Sequence, residues 1–96
     1  MIVRITEGIV APGREADFSE VARSRERELG AAPGIVSVHV GRRLTEEGTE
    51  FVFVTLWRTF EDLAAAAADP EATSRMAREH PELFTRVSAR HFETFG

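Results

Sequence analysis

One stretch of the sequence, residues 51–63, constrains the fold of this chain more than any other. Residues 51–57 are almost all apolar, and a polar break at Arg58 and Thr59 leads into a run with helical character. Unbroken aromatic and β-branched residues over this length are typical of a strand that is buried on both faces. A sheet that contains such a strand must be covered by protein on both sides.

Alternate side chains of a strand point to opposite faces, so residues 51–57 present two apolar sets. One set is aliphatic and the other is mostly aromatic: Val52, Val54 and Leu56 against Phe51, Phe53 and Trp57. Leaving the aromatic set in water would forgo about 1.5–3 kcal/mol per side chain. Helices would cover one face only, so we expect a second copy of the chain to cover the aromatic set, sheet against sheet. The pattern itself leaves open which set meets the helices.

Periodicities along the rest of the chain predict the order strand, helix, strand, strand, helix, strand. The predicted strands are 2–11, 35–44, 50–57 and 85–95, and the predicted helices are 14–29, one that begins after Thr59, and a short one at about 71–79. Right-handed crossovers fold this order into an α+β, ferredoxin-like βαββαβ domain with a four-stranded antiparallel sheet in the order 4-1-3-2. We expect residues 1–96 to form this one domain.

Turn and cap residues set the predicted helix boundaries. Gly30 is placed to end the first helix, and Thr59 with Asp62 has the spacing of a capping box at the start of the second. Asp69 and Pro70 predict the start of the short third helix, as an N-cap followed by a proline at the first helical position.

Composition excludes several classes of function. The net charge of −4 argues against nucleic-acid binding, and the absence of cysteine excludes disulfides and thiol chemistry. The twelve basic residues are all arginine, and tyrosine, asparagine and glutamine are also absent, so candidate bases are the three histidines and the carboxylates. No apolar run approaches the roughly 20 residues of a membrane span. With a strand pattern from residue 2 onward and no secretory signal, we expect a cytoplasmic protein.

The candidate site residues each have a structural alternative. His80 shares a helix face with Met76 and is a candidate general base, or else an exposed histidine at a helix end. Trp57 could form the wall of a cleft for an aromatic ligand, or be core. His39 could line the cleft or a barrel interior, or be a hydrogen-bonded residue of an edge strand. Arg4 could orient a ligand or be merely a cross-strand charge. It cannot act together with Glu7, which points to the opposite face.

A metal site is not expected. Each predicted element carries at most one histidine, so no metal-binding pair such as HxH or HExxH arises. His39 and His91 fall on opposite edges of the predicted sheet, about 14 Å apart at about 4.8 Å per strand.

Pro12-Gly13 lies before the first helix, Pro33-Gly34 lies before the second strand, and Thr55-Leu56-Trp57 is followed by residues 59–63. In these features the chain resembles the antibiotic biosynthesis monooxygenase family. This resemblance implies a homodimeric α+β barrel with a ligand cleft between sheet and helices in each subunit. Described relatives oxidise polycyclic phenols to quinones with O₂ and neither metal nor flavin, while others degrade haem. The chain lacks the asparagine of the haem-degrading branch, and alanines 64–68 stand where many quinol-oxidising relatives carry a histidine.

The resemblance implies a cofactor-independent monooxygenase that acts on a small phenolic or polycyclic aromatic substrate. In this hypothesis His80 is the base, Trp57 and Phe53 stack on the substrate rings, and His39 or Arg4 stabilises the developing anion. Two alternatives stay open: a non-catalytic dimeric module that binds an apolar small molecule or a protein, and an isomerase or cyclase that uses the same cleft. Cleft size separates the first alternative from an enzyme, which needs roughly 300 Å³ or more.

Overall fold

The computed structural model describes residues 1–67 and 74–95. Within these ranges the elements follow one another as β1 (Ile2–Val10), α1 (Glu15–Gly30), β2 (Ile35–Thr45), β3 (Gly48–Trp57), α2 (Phe60–Ala67), α3 (Arg75–Glu79), a short 3₁₀ helix (Pro81–Leu83) and β4 (Phe84–Glu93). The strand boundaries agree with the sequence prediction to within one or two residues.

The four strands form one antiparallel sheet in the order β2-β3-β1-β4. This confirms the ferredoxin-like α+β arrangement, in which β1 and β3 are the central strands. Their register pairs Arg4 with Thr55 and Thr6 with Phe53 on one face, and Val3 with Leu56 and Ile5 with Val54 on the other. Each central strand therefore contributes alternate residues to both faces of the sheet.

The aromatic set of β3 lies beneath the helices, so the expectation that a second copy covers it was wrong. Phe51, Phe53 and Trp57 are at most 4% exposed. They share one core cluster with the buried residues of all three α-helices: Phe18, Ala22, Leu29, Leu63, Ala67 and Met76. The helices supply the apolar surface that buries these large rings. Aromatic side chains remove the most apolar surface area from water when they are buried.

The opposite face of the sheet carries the aliphatic set. We call this surface the open face and define it by Val3, Ile5, Val52, Val54 and Leu56, all of them partly exposed. In the described ranges, the buried side chains of the α-helices all belong to the cluster on the other side. The expectation that helices cover only one face is thus confirmed for the described residues. The face they cover carries the aromatic set of β3, and the aliphatic set lies on the other face.

Local chemistry explains the helix ends. The predicted cap at Thr59 is confirmed, since the Asp62 amide N–H donates to Thr59 Oγ1 at 3.2 Å. Gly30 was predicted to follow α1 but lies in its last turn, and Ala31 closes the helix with ordinary right-handed geometry. The predicted start of the third helix at Asp69-Pro70 lies outside the described residues.

The described part of the third helix begins at its own cap. Ser74 precedes α3, and its Oγ accepts a hydrogen bond from the Ala77 amide at 3.1 Å. A serine in this position satisfies one of the N–H groups that the first turn of a helix leaves without an intrahelical partner. The side chains of Ser74 and Met76 are thereby held toward the sheet, where both are buried.

Candidate functional site

A small cavity lies between the helices and the central strands. Its volume is about 40 Å³. The lining residues come from the two central strands and from all three α-helices: Arg4, Thr6, Phe53, Thr55 and Trp57 from the sheet, and Arg25, Leu29, Leu63, Ala66, Ala67, Ser74, Arg75 and Met76 from the helices and the α3 cap. Apolar walls around a few polar groups are the usual composition of a small-molecule site.

The floor of the cavity is unusually polar for the middle of a sheet. Arg4, Thr6 and Thr55 are each 4–6% exposed, although their neighbours on the same face are aromatic. Arg4 lies directly across from Thr55 in the β1–β3 register. A guanidinium group and two hydroxyl groups thus face the same enclosed space, and they can donate hydrogen bonds to an oxygen of a bound ligand.

Trp57 is held in place by one of these hydroxyl groups. Its indole Nε1–H donates to Thr55 Oγ1 at 2.9 Å, and both side chains are buried. Because the indole N–H is a donor only, this bond satisfies it and fixes the ring orientation. The threonine hydroxyl keeps its own proton for a further bond.

The cavity is too small for an aromatic ring as it stands. A buried water needs about 10–15 Å³ of comparable space, so a volume of about 40 Å³ holds only a few waters. Sites for ring-sized ligands are usually about 300–1,000 Å³. Trp57 and Met76 are both among the residues that line this small cavity.

Arg25 closes the side of the cavity between α1 and α2. Its Nη2 donates to the carbonyl oxygen of Ala66 at 3.1 Å, and its Nη1 lies 3.2 Å from the Glu28 carboxylate. Burial is the main cause that lowers the pKa of Arg25, and the nearby charge of Arg75 lowers it further, while Glu28 raises it. The guanidinium stays charged, but it is partly dehydrated at this position.

Three of the residues that line the cavity were predicted from the sequence as substrate contacts. Trp57, Phe53 and Arg4, proposed from the sequence as substrate contacts, all line the cavity. Thr6 and Thr55 were not predicted. Thr6 lies two positions from Arg4 on β1, and Thr55 lies two positions from Trp57 on β3, so each threonine points to the same face of the sheet as that neighbour. Arg25, within the predicted helix 14–29, was not predicted as a site residue.

A family model supplies the decisive comparison. The model described as Antibiotic biosynthesis monooxygenase matches residues 1–78, which is most of the chain. The chain belongs to this family. No curated protein sequence matches it.

Solved structures agree with this family in fold. A protein from Deinococcus radiodurans named as an antibiotic biosynthesis monooxygenase superposes with a TM-score of 0.83 at 13% identity, over 100% of this chain and 94% of that one. A protein of the same name from Nitrosomonas europaea gives 0.79 at 15% identity, over 100% of both chains. A protein of the same name from Bordetella bronchiseptica gives a TM-score of 0.69 at 23% identity, over 98% of this chain and 96% of that one. At these identities the likeness shows the shared fold.

In this antibiotic biosynthesis monooxygenase family member, His80 lies outside the cavity lining. It follows α3 and faces an outer groove between α1 and the α3 region, with its Nδ1 3.8 Å from the Glu82 carboxylate. Met76 lines both the groove and the cavity and therefore stands between them. The role of His80 as a base stays a prediction.

The other two histidines lie on different faces of the sheet. His39 pairs with Val54 in the β2–β3 register and shares its face, so it lies away from Trp57 and the cavity. His91 pairs with Arg4 in the β1–β4 register and packs against the Phe60 ring at 5.3 Å between centroids. His91 is thus the histidine on the helix-covered face, next to the cavity floor.

Metal-binding clusters and membrane-spanning helices are both absent from the described residues. Residues 1–67 and 74–95 contain no group of three or more histidine, cysteine, aspartate or glutamate side chains placed to bind a metal ion. Nor is any helix in these ranges both long enough and apolar enough to cross a membrane.

Proposed function

We propose that this protein is a cofactor-independent monooxygenase that oxidises a small phenolic or polycyclic aromatic substrate to a quinone with O₂. The observation that carries the proposal is the convergence of Trp57, Phe53 and Arg4 on one enclosed cavity, with apolar walls and a polar floor. Membership of the antibiotic biosynthesis monooxygenase family supports it. Once the cavity has widened, a ring between Trp57 and Phe53 would place its oxygen toward the guanidinium and hydroxyl groups of the floor.

The reaction requires proton removal followed by electron transfer to O₂. Loss of a phenolic or activated C–H proton leaves an electron-rich anion, which Arg4 and Thr55 would stabilise by hydrogen bonds. The anion gives an electron to O₂, the two radicals combine into a peroxide, and loss of water leaves a carbonyl group. At a CH₂ carbon of an anthrone, the net change is one O₂ consumed, one C=O formed and one H₂O released.

We assign the proton acceptor to His80 because an imidazole nitrogen can accept a proton and His80 lies one side chain, Met76, away from the cavity. Met76 is flexible enough to move aside when a ligand enters. The His80 Nδ1 lies 3.8 Å from the Glu82 carboxylate.

Oxygen uptake with anthrone as substrate tests this assignment. We expect the unmodified protein to consume O₂ above the rate without protein, and His80→Ala to lower kcat by about 10²–10⁴-fold, the usual contribution of a general base. Asp17→Asn, which lies in the same outer groove, is the control and should keep the full rate. Unchanged turnover in His80→Ala would assign the proton to another group.

The size of the cavity favours a second candidate, a non-catalytic dimeric module that binds an apolar small molecule. A volume of about 40 Å³ between Trp57 and Met76 is what a structural core with a minor void would show. Two measurements on the same sample separate the two candidates. Quenching of Trp57 fluorescence reports the binding of 1-naphthol, and an oxygen electrode reports O₂ uptake. Binding without O₂ uptake, for 1-naphthol and for anthrone alike, selects the module.

We also propose that the protein is a homodimer that joins its open faces. Val3, Ile5, Val54 and Leu56 form a continuous aliphatic strip across the two central strands, and Phe92, 49% exposed, extends it from β4. Ion pairs flank the strip, with Glu7 3.3 Å from Arg90 and a second pair between Arg43 and Glu50. An apolar centre with a rim of both charges suits a second copy of the same surface.

A further inference from the structure

The cavity has to enlarge before a ring-sized ligand can enter it, because about 40 Å³ accommodates only a few waters. Two of its walls are α1 and α2, which are far apart in sequence. Among the described lining residues, Arg25 joins these two walls by a side-chain hydrogen bond that spans 41 positions of the chain. Any widening between α1 and α2 must therefore lengthen or break this bond.

The bond is made to Ala66, next to the last described residue of α2, Ala67. Arg25 Nη2 donates to the Ala66 carbonyl at 3.1 Å, and Arg78 Nη2 donates to the next carbonyl, that of Ala67, at 2.8 Å. Two arginines from flanking helices thus hold neighbouring carbonyl groups. Of these two arginines, Arg25 lines the cavity, and Arg78 is not among its lining residues.

The surroundings of Arg25 make its bond suited to opening. The Arg25 side chain is 15% exposed, whereas its ionic partner Glu28 is 55% exposed. Desolvation of the guanidinium lowers the pKa of Arg25, and the charge of Arg75 on α3 acts in the same direction. Rotation toward Glu28 and solvent would restore hydration and keep the ion pair, which offsets the loss of the carbonyl contact.

We propose that Arg25 is the strap of the cavity. Its bond to the Ala66 carbonyl holds α1 and α2 together in the closed state, its release admits a flat aromatic ligand, and its re-formation excludes water from the occupied cavity. This inference rests on the proposed function only in taking the cavity as the ligand site. It requires no catalytic turnover.

Acrylamide quenching of Trp57 fluorescence tests the strap directly, since Trp57 is the single tryptophan, lines the cavity and is 1% exposed. We expect weak quenching in the unmodified protein and a several-fold larger quenching constant in Arg25→Met. Arg78→Met is the matched control, because it removes the equivalent bond to the next carbonyl and should leave quenching near the unmodified value. Arg25→Lys keeps a donor and should give an intermediate value.

Stopped-flow mixing with 1-naphthol supplies a second readout. Arg25→Met should bind the ligand with a faster association rate, and its circular dichroism should match that of Arg78→Met, which excludes general loosening as the cause.

Equal quenching in Arg25→Met and Arg78→Met overturns the strap. If Arg25→Met does not fold, the same comparison between Arg25→Lys and Arg78→Lys decides, and equal values there overturn it too. Absence of O₂ uptake bears on the oxygenase proposal and leaves this result intact.

Discussion

Trp57 shows how one side chain combines a core role with a position in the candidate site. It is 1% exposed and belongs to the main core cluster, and it also lines the cavity. Its hydrogen bond to Thr55 explains why a hydroxyl group is tolerated at a buried position of a central strand. The sequence alternatives for Trp57, core residue or cavity wall, therefore do not exclude each other.

Replacement of Thr55 tests the value of that bond. Thr55→Val keeps the side-chain shape but leaves the buried indole N–H without its acceptor, which should lower the free energy of unfolding by about 1–3 kcal/mol. Thr55→Ser keeps the acceptor and loses one methyl group, worth about 0.8 kcal/mol. Urea unfolding followed by circular dichroism measures both. A valine variant as stable as the serine variant would show that the indole finds another partner.

At the scale of the elements, the turn between α1 and β2 determines how closely α2 approaches the sheet. Gly34 has a φ of +81°, and a Cβ at this position would meet the Asp62 side chain. Asp62 belongs to the cap of α2, and the Gly34 carbonyl accepts a hydrogen bond from the Arg58 amide at 2.8 Å. One glycine thus permits both the turn and the seating of the next helix, which carries Leu63 and Ala66 to the cavity.

We expect alanine substitutions at two glycines to change the free energy of unfolding in opposite directions. Gly34→Ala introduces strain at a positive φ and displaces Asp62, so we expect the free energy of unfolding to fall by about 1–3 kcal/mol. Gly30→Ala is the control, because its added methyl group meets no atom within 4 Å and the residue is helical. It should raise the free energy of unfolding by about 0.5–1 kcal/mol. Thermal and urea unfolding of the two variants measure this difference, and a neutral Gly34→Ala would contradict it.

At the scale of the whole molecule, the sheet separates two surfaces with different tasks. The helix-covered face contains the cavity, and the open face carries the aliphatic strip of the proposed homodimer. His39 lies on the open face and cannot contact a ligand in the cavity of its own subunit. Of the two sites predicted for His39, the cleft and the barrel interior, this position fits only a barrel interior formed between the sheets of two subunits.

A charge placed on the aliphatic strip tests the homodimer. Val54→Arg would bury an unpaired guanidinium against the partner, which costs several kcal/mol and weakens association by about 100-fold or more. Sedimentation equilibrium should show a dimer for the unmodified protein and a folded monomer for the variant. Ala16→Arg, on the exposed side of α1, is the control and should remain dimeric. A monomeric unmodified protein at micromolar concentration would refute the dimer itself.

The sequence by itself determined the order of elements, the sheet topology and the cap at Thr59, because periodicity, turn residues and caps act over a few neighbouring positions. Only the tertiary structure decided which apolar set of β3 meets the helices, since both sets fit a buried strand equally well. It also decided that Thr55 and Arg25 line the cavity beside Trp57 and that His80 does not. These outcomes depend on the packing of α1 and α2 over the sheet, which joins residues distant in the chain and is not encoded in local periodicity.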